Sequence, residues 1–392
     1  MAESTSTSYR FISSCFYKLA RSYVRRKKPT VIAVAGSVGK TSTKLMLAHM
    51  LQTKRVSYMD DSYNNGLGLY LSVFQQKIPT NLRSPLSWAG VFTRSLALFT
   101  RRGPEIMILE YGIDHPGDMD DMIAFIRPDI SILTAVTPEH MEYMKTLDGV
   151  ADEETKALIA ATKYAVYNND DIDARYVPDL KTAYSYGSQP DNAASYKIHT
   201  WHKDGAGVDI TVQGSRLSDI KVNFISEPLI RQLTGAALVA QLLGVDDVTL
   251  CRQLETAQPA ASRMRLFEGV HDSTLIDDTT NFSPDAGIEA LKALKRLPAT
   301  RHIAILGNMH ELGDYADEGF ERVADEFNDI DIIALVGDLS IEKFKPYALA
   351  RGFSENSNLF LYQTSVDAGI NFRDKLAPDD IVLIKGPFGG FY

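Results

Sequence analysis

From Thr30 onward, short apolar runs alternate with stretches of helical periodicity. Thr30–Ala35, Ile106–Glu110, Asp129–Thr134 and Tyr164–Tyr167 read as buried strands, while Lys40–Leu51, Pro116–Ile126 and Gly149–Ala161 read as helices. Strands that alternate with helices predict a parallel sheet covered on both faces, since such strands are apolar on both sides. Val208–Val212 and Ile220–Ile225 alternate apolar and polar residues instead, which predicts an antiparallel appendage to that sheet. A second series begins near Phe267, with strands at Thr274–Asp277, His302–Leu306, Ile332–Val336, Leu359–Tyr362 and Ile381–Ile384. The expected class is α/β, with a first, mostly parallel domain over residues 30–265 and a second doubly wound, Rossmann-like domain over 266–392.

Ahead of the first strand the pattern differs. Phe11, Ile12, Phe16, Leu19, Ala20 and Tyr23 fall at helical spacing, and Arg10, Lys18, Arg21, Arg25, Arg26, Lys27 and Lys28 surround them. Residues 1–29 are therefore expected to be a tail, disordered over its Ser/Thr-rich first seven residues, and then a basic amphipathic helix. Residues 8–28 could meet an anionic membrane surface or a partner through that helix, or pack it onto the neighbouring domain. No stretch reaches the length of apolar residues that a spanning helix needs, and the N-terminus lacks the order of a signal peptide. The net charge of −9 argues against a nucleic-acid partner, and the two cysteines, Cys15 and Cys251, have no metal-ligand spacing. A cytoplasmic protein is expected.

The chemistry begins at Gly36-Ser37-Val38-Gly39-Lys40-Thr41-Ser42, between a strand and a helix. Such a loop turns backbone N–H groups and a helix N-terminus toward an anion. Lys40 would reach the terminal phosphates of a nucleotide and the Thr41 hydroxyl would ligate magnesium. Val34 stands where the strict pattern has its first glycine. The alternative is a plain glycine turn. With this loop, the first domain reads as a P-loop ATPase domain that binds ATP with Mg2+.

The run AVAGSVGKTSTK resembles the ATP loop of the Mur ligases, and six further runs follow in that family's order. Tyr63-Asn64-Asn65-Gly66-Leu67-Gly68, Ile108–Gly117 and Pro138-Glu139-His140-Met141-Glu142 are similar to runs of the MurF type, which adds D-alanyl-D-alanine. So are Ile276 to Pro284, Leu306-Gly307-Asn308-Met309-His310-Glu311-Leu312-Gly313 and Lys385-Gly386. The likeness spans Pro29 to Gly386. It implies an ADP-forming ligase that activates a carboxylate as an acyl phosphate and joins it to an amine, in cell-wall precursor synthesis.

By this resemblance Glu110 and His140 are magnesium ligands, Arg263 contacts the ATP phosphates, and Asp278 and Asn281 close over the nucleotide from the second domain. Asn64, Asn65, His115, Glu311 and Lys385 are implied on the substrate side. Bland alternatives stand beside these: a solvated strand end for Glu110, a helix-cap histidine for His140, a linker arginine for Arg263, and Asx turns for Asp278 and Asn281.

The chain also departs from the family pattern. The 29 residues before the first strand hold no counterpart of the uridine-nucleotide domain, so a UDP-linked substrate is not implied. Pro228, Leu229 and Gln232 replace an H-N-x-x-N run, Ser262 replaces a glycine before Arg263, and Thr280-Asn281-Phe282-Ser283-Pro284 alters a Y-N-A-N-P run. Where many Mur ligases carry a carbamylated lysine, this chain has Glu154, which supplies charge and oxygen without carbon dioxide. Lys156 cannot replace it, because residues two apart on a helix point about 200° apart. Two other readings remain: a related ligase for another carboxylate and amine, of folylpolyglutamate or poly-amino-acid type, and a non-catalytic ATP-binding protein at a membrane surface.

Overall fold

The computed structural model describes residues 7–139, 141–310 and 312–387. Strands β1 (Thr30–Ala35), β2 (Val56–Ser57), β3 (Ile106–Glu110), β4 (Ile130–Leu133), β5 (Tyr164–Asn168), β6 (Ala183–Gly187), β7 (Ala194–His202), β8 (Gly205–Val212) and β9 (Ser215–Val222) form one sheet. Its order is β2-β3-β1-β4-β5-β6-β7-β8-β9, parallel as far as β7 and antiparallel through β8 and β9.

The pleat of β1 explains why both faces are covered. Ile32 and Val34 join a core with Met46 and Leu47 of the helix Lys40–Met50 and with Leu233 and Ala236 of the helix Glu227–Leu242. Val31 and Ala33 point the opposite way, into a second core with Phe16, Met119 and Val150. Successive side chains on a strand face opposite sides, so a run such as Val-Ile-Ala-Val-Ala must be buried twice. Phe16, Ala20 and Tyr23 of the helix Thr7–Lys27 belong to the second core and meet Trp88, Phe92, Phe74 and Phe99. The apolar side of this basic helix is therefore packed inward. No helix among the described residues is long and apolar enough to cross a membrane.

Strands β10 (Arg265–Glu268), β11 (Thr274–Asp278), β12 (Arg301–Leu306), β13 (Ile332–Val336), β14 (Leu359–Tyr362) and β15 (Asp380–Lys385) form the second sheet, in the order β10-β11-β15-β12-β13-β14. Only β10 runs antiparallel to its neighbour.

The structure adds β2, β6, β7 and β10 to the strands expected from periodicity, and β9 starts before the expected Ile220–Ile225 run and ends within it, at Val222. In β7, Lys197, His199, Thr200 and His202 accompany Tyr196, Ile198 and Trp201. The outer half of that strand is largely solvated, so its pattern carries little apolar signal. Parallel pairing brings the carboxyl ends of β1, β3, β4 and β5 to one edge, where ligand sites of open α/β sheets form.

Candidate active site

The loop after β1 is shaped by its neighbours. A Cβ on Gly36 (φ 124°) would lie 2.3 Å from Thr134 Oγ1, and one on Gly39 (φ 88°) would lie 2.2 Å from Gln232 Nε2. Both positions therefore require glycine. Thr134 Oγ1 donates to Val38 O (2.6 Å) and Ser37 N donates to Ala135 O (3.0 Å), tying the loop to the end of β4. Lys40 Nζ curls back to donate to Gly36 O (2.5 Å) and Ser37 O (2.9 Å). Ser42 is buried in the first turn of the helix behind the loop.

Glu110, the last residue of β3, stands beside the loop and is 3% exposed. Thr41 Oγ1 donates to it at 3.0 and 3.1 Å, and Ser62 Oγ at 2.7 Å. Lys44, one turn beyond Lys40 and 1% exposed, completes the set with a 2.9 Å ion pair and also donates to Asp61 O at 2.8 Å. Burial alone would raise the Glu110 carboxyl. The Lys44 charge and the hydrogen bonds from Lys44 and Ser62 outweigh burial and hold it below the usual carboxylate range.

On the other side of the loop, Glu154 is fully buried in the helix Leu147–Ala160 and accepts from Gly36 N at 2.7 Å. Its second oxygen has no hydrogen-bond partner among the described residues. Burial pushes this carboxyl up to about 7, against the pull of Lys40 and the Gly36 N–H. Lys156 points elsewhere, to Asp120 (2.6 Å) and Glu153 (2.8 Å).

The second sheet faces this edge across a cleft of about 560 Å3, a usual size for a small-molecule site. Asp278, ending β11, pairs with Lys385 of β15 at 2.7 Å, and Lys385 also donates to Asn281 O at 2.6 Å. Arg263 lines the cleft and forms no ion pair among the described residues. Its neighbours Ser262 (φ 55°) and Met264 (φ 52°) are left-handed, so Ser262 keeps a conformation that glycine adopts freely. Hydrogen bonds from Ser262 Oγ to Asp277 (2.9 Å) and from Thr280 Oγ1 to Ser262 O (2.8 Å) hold it there. Asn64 lines the cleft, whereas the Asn65 amide bonds to Asp114 at 2.8 Å on the surface. His115 is largely exposed, with its ring tilted against that of Tyr143 at a centroid distance of 4.4 Å. His140 and Glu311 lie outside the described residues.

Among the described residues no three His, Cys, Asp or Glu side chains gather as a metal cluster. The site instead offers hard oxygens singly: the Thr41 and Ser62 hydroxyls on Glu110, and the Glu154 oxygen that has no partner among the described residues. That donor set fits magnesium, which prefers oxygen and keeps several of its waters.

Residues 34–240 match the model of the Mur ligase middle domain, and residues 262–388 match that of the Mur ligase glutamate ligase domain. The chain belongs to the Mur ligase family. Curated Mur ligases similar to it include the UDP-N-acetylmuramoyl-tripeptide–D-alanyl-D-alanine ligase of Rickettsia prowazekii, 24% identical over 95% of this chain and 78% of that protein. The Bacillus subtilis ligase of the same name is also 24% identical, over 78% of this chain but only 61% of its own length. In fold the chain is similar to MurF of Thermotoga maritima, solved in complex with ADP (TM-score 0.79, 22% identity, 96% of this chain and 80% of that one). MurF of Acinetobacter baumannii is similar to the same degree (TM-score 0.78, 20% identity, 96% and 77%).

Against this Mur ligase frame, the sequence reading missed Lys44, Ser62 and a cluster around Arg231. Arg231 pairs with Asp170 (2.9 Å) and Asp171 (2.5 Å) and, with Asp171, lines the cleft. The signal for Lys44 was a lysine set among buried residues of an otherwise apolar helix face. Gln232 was noted only as a departure, but its amide abuts Gly39 and its Oε1 is buried without a partner among the described residues.

Proposed function

We propose that this chain is an ATP-dependent amide-bond ligase of the MurF type, active in peptidoglycan precursor synthesis in the cytoplasm. The observation that carries the reading is a single cleft in which the loop Gly36–Thr41 and Glu110 face Arg263, Asp278 and Lys385 of the second sheet. The names of the similar curated ligases support it. The substrates are a small-molecule or peptide carboxylate and an amine.

Magnesium, when bound, neutralises phosphate charge and orients its oxygens. Thr41 and Glu110 would hold it, with Glu154 and His140 completing its surroundings. The residues of the chain do the rest. Gly36, Ser37, Gly39 and Ser42 cradle the nucleotide phosphates, and Lys40, released from the loop carbonyls, meets the transferring phosphoryl group. Arg263 approaches the phosphates from the opposite wall, beside Asp278 and Asn281. A carboxylate oxygen of the acceptor attacks the terminal phosphorus and ADP leaves. The amine then attacks the acyl carbon, and phosphate departs with that carboxylate oxygen. Asn64, Asn65, His115, Glu311 and Lys385 are assigned to the substrate side.

The test is ADP release measured with candidate pairs, beginning with UDP-N-acetylmuramoyl tripeptide and D-alanyl-D-alanine. Release that needs both partners and matches amide formation one to one is expected. ATP turnover indifferent to every acceptor and amine tried would count against a ligase.

A further inference from the structure

Charge is distributed unevenly along this chain. Residues 8–28 contain seven Lys or Arg and no acid, and residues 77–104 contain five and no acid. These segments carry +12, while the chain as a whole carries −9, so the remainder carries −21.

The fold joins the two segments into one face. The helix Thr7–Lys27 lies alongside the helix Pro85–Ala97, with Phe16 against Trp88 (6.1 Å) and Phe92 (5.9 Å), and Tyr23 against Phe99 (5.3 Å). Lys27 Nζ donates to Phe99 O (2.9 Å) and Arg101 O (2.5 Å), closing the far end. These aromatic contacts consume the inner sides, and apart from Lys27, held on those carbonyls, and Lys77, paired with Asp61 (2.8 Å), most of the basic residues are left outside. Arg10, Lys18, Arg25, Arg26, Lys28 and Arg101 are exposed and form no ion pair among the described residues.

The same face exposes large apolar side chains. Phe11 is 71% exposed and Leu86 82%, and Ile78, Leu82 and Leu96 are exposed as well. Those five are among twelve such residues in the described structure, although the two segments make up only 49 of 392 residues. One hydrogen bond links the second of these segments to the cleft region. The Trp88 indole beside Phe16 donates to Leu82 O, and Ile78 N donates to Tyr63 Oη, next to the cleft residue Asn64.

We propose that the outer face of these two helices docks on an anionic lipid surface, with its apolar side chains inserted and the Asn64 end of the cleft turned toward that surface. Charge complementarity selects this occupant: a cationic plate on an acidic protein is drawn to a negative surface, and exposed Phe and Leu side chains add apolar insertion. A folded acidic protein would use the charge but not the isolated apolar tips. The docking does not depend on the ligase reading, because it is measured without nucleotide or substrate.

Co-sedimentation of the full chain with phosphatidylcholine vesicles, with and without phosphatidylglycerol, decides the matter. Binding is expected with the anionic vesicles at low salt and not with the neutral ones. It should fall on the order of tenfold or more at high salt and in Arg25→Glu/Arg26→Glu/Arg101→Glu, since each basic residue near such a surface counts separately. Phe11→Ser/Leu86→Ser should bind severalfold more weakly, with its charge unchanged. These positions are exposed, so thermal melting of the variants should match the parent. The proposal is overturned if the anionic vesicles fail to sediment the parent at low salt. It is equally overturned by undiminished binding of the charge-reversed variant, or by binding to heparin with none to vesicles, which would assign the face to a soluble polyanion.

Discussion

Lys40 and Lys44 lie one turn apart on the same helix, yet one faces the cleft and the other is sealed beneath it on Glu110. Lys40→Ala should abolish ATP turnover and leave the protein folded, because the hydrogen bonds of Lys40 among the described residues go to its own loop carbonyls. Normal turnover in the folded variant would remove the loop from the mechanism. Lys44→Met has the opposite profile. It leaves the Glu110 charge buried without a counterion, a loss of about 3–5 kcal/mol. Adding Glu110→Gln should recover much of that loss in urea unfolding, because the stranded charge is gone; strictly additive costs would mean that the two residues are not coupled. Glu154 gives a third prediction. Activity should be the same in bicarbonate-free buffer, and Glu154→Ala should raise the magnesium requirement and lower turnover. Dependence on bicarbonate would show that a carbamylated lysine is still needed. Lys40, Thr41, Glu110 and Glu154 were legible because a motif or a strand end marks each one. Lys44 and Ser62 were not, because a helical lysine and a loop serine acquire meaning only when Glu110 is folded between them.

The helix Glu227–Leu242 shows what an element adds to such residues. It carries Gln232 to Gly39 and Arg231 to Asp170 and Asp171, and it can do so only because Gly235 lets it lie close on the sheet. A Cβ at Gly235 would fall 2.7 Å from the buried Tyr186 ring. Gly235→Ala should therefore destabilise the protein by about 1–3 kcal/mol through overpacking, read as a lower urea midpoint at unchanged slope. No change in midpoint would place the helix farther from β6 than it is here. This seat was not legible in the sequence: β6 is Ala-Tyr-Ser-Tyr-Gly, too poor in aliphatic residues for its period to register beside β1 or β3. Strands buried on both faces announce themselves, whereas β6 and β7, at the passage to the antiparallel hairpin, mix Ser, Lys, His and Thr into their runs.

For the whole molecule, the cleft has two walls on two sheets, and the walls also touch away from it. Gly313 of the second (φ 55°) lies against the Glu142 backbone of the first, where a Cβ would come within 3.4 Å. Closure on nucleotide is expected to bring Arg263 and Asp278 toward the loop Gly36–Thr41. Small-angle scattering should show a smaller radius of gyration with an ATP analogue and acceptor than without, and identical dimensions would contradict a closing cleft. The α/β class and the two strand series were legible from alternation alone, because apolar strands spaced by helices admit few other folds. The packing of the first helix was not, because an amphipathic pattern is the same whether its apolar side meets a sheet or a membrane. The central claim is that this cleft activates a carboxylate by phosphorylation and passes it to an amine. It is tested most directly by running the reaction with the acceptor carboxylate labelled with oxygen-18 and analysing the products by mass spectrometry. One labelled oxygen in the released phosphate for each amide formed is the expected result. Unlabelled phosphate, or label carried into AMP, would contradict it.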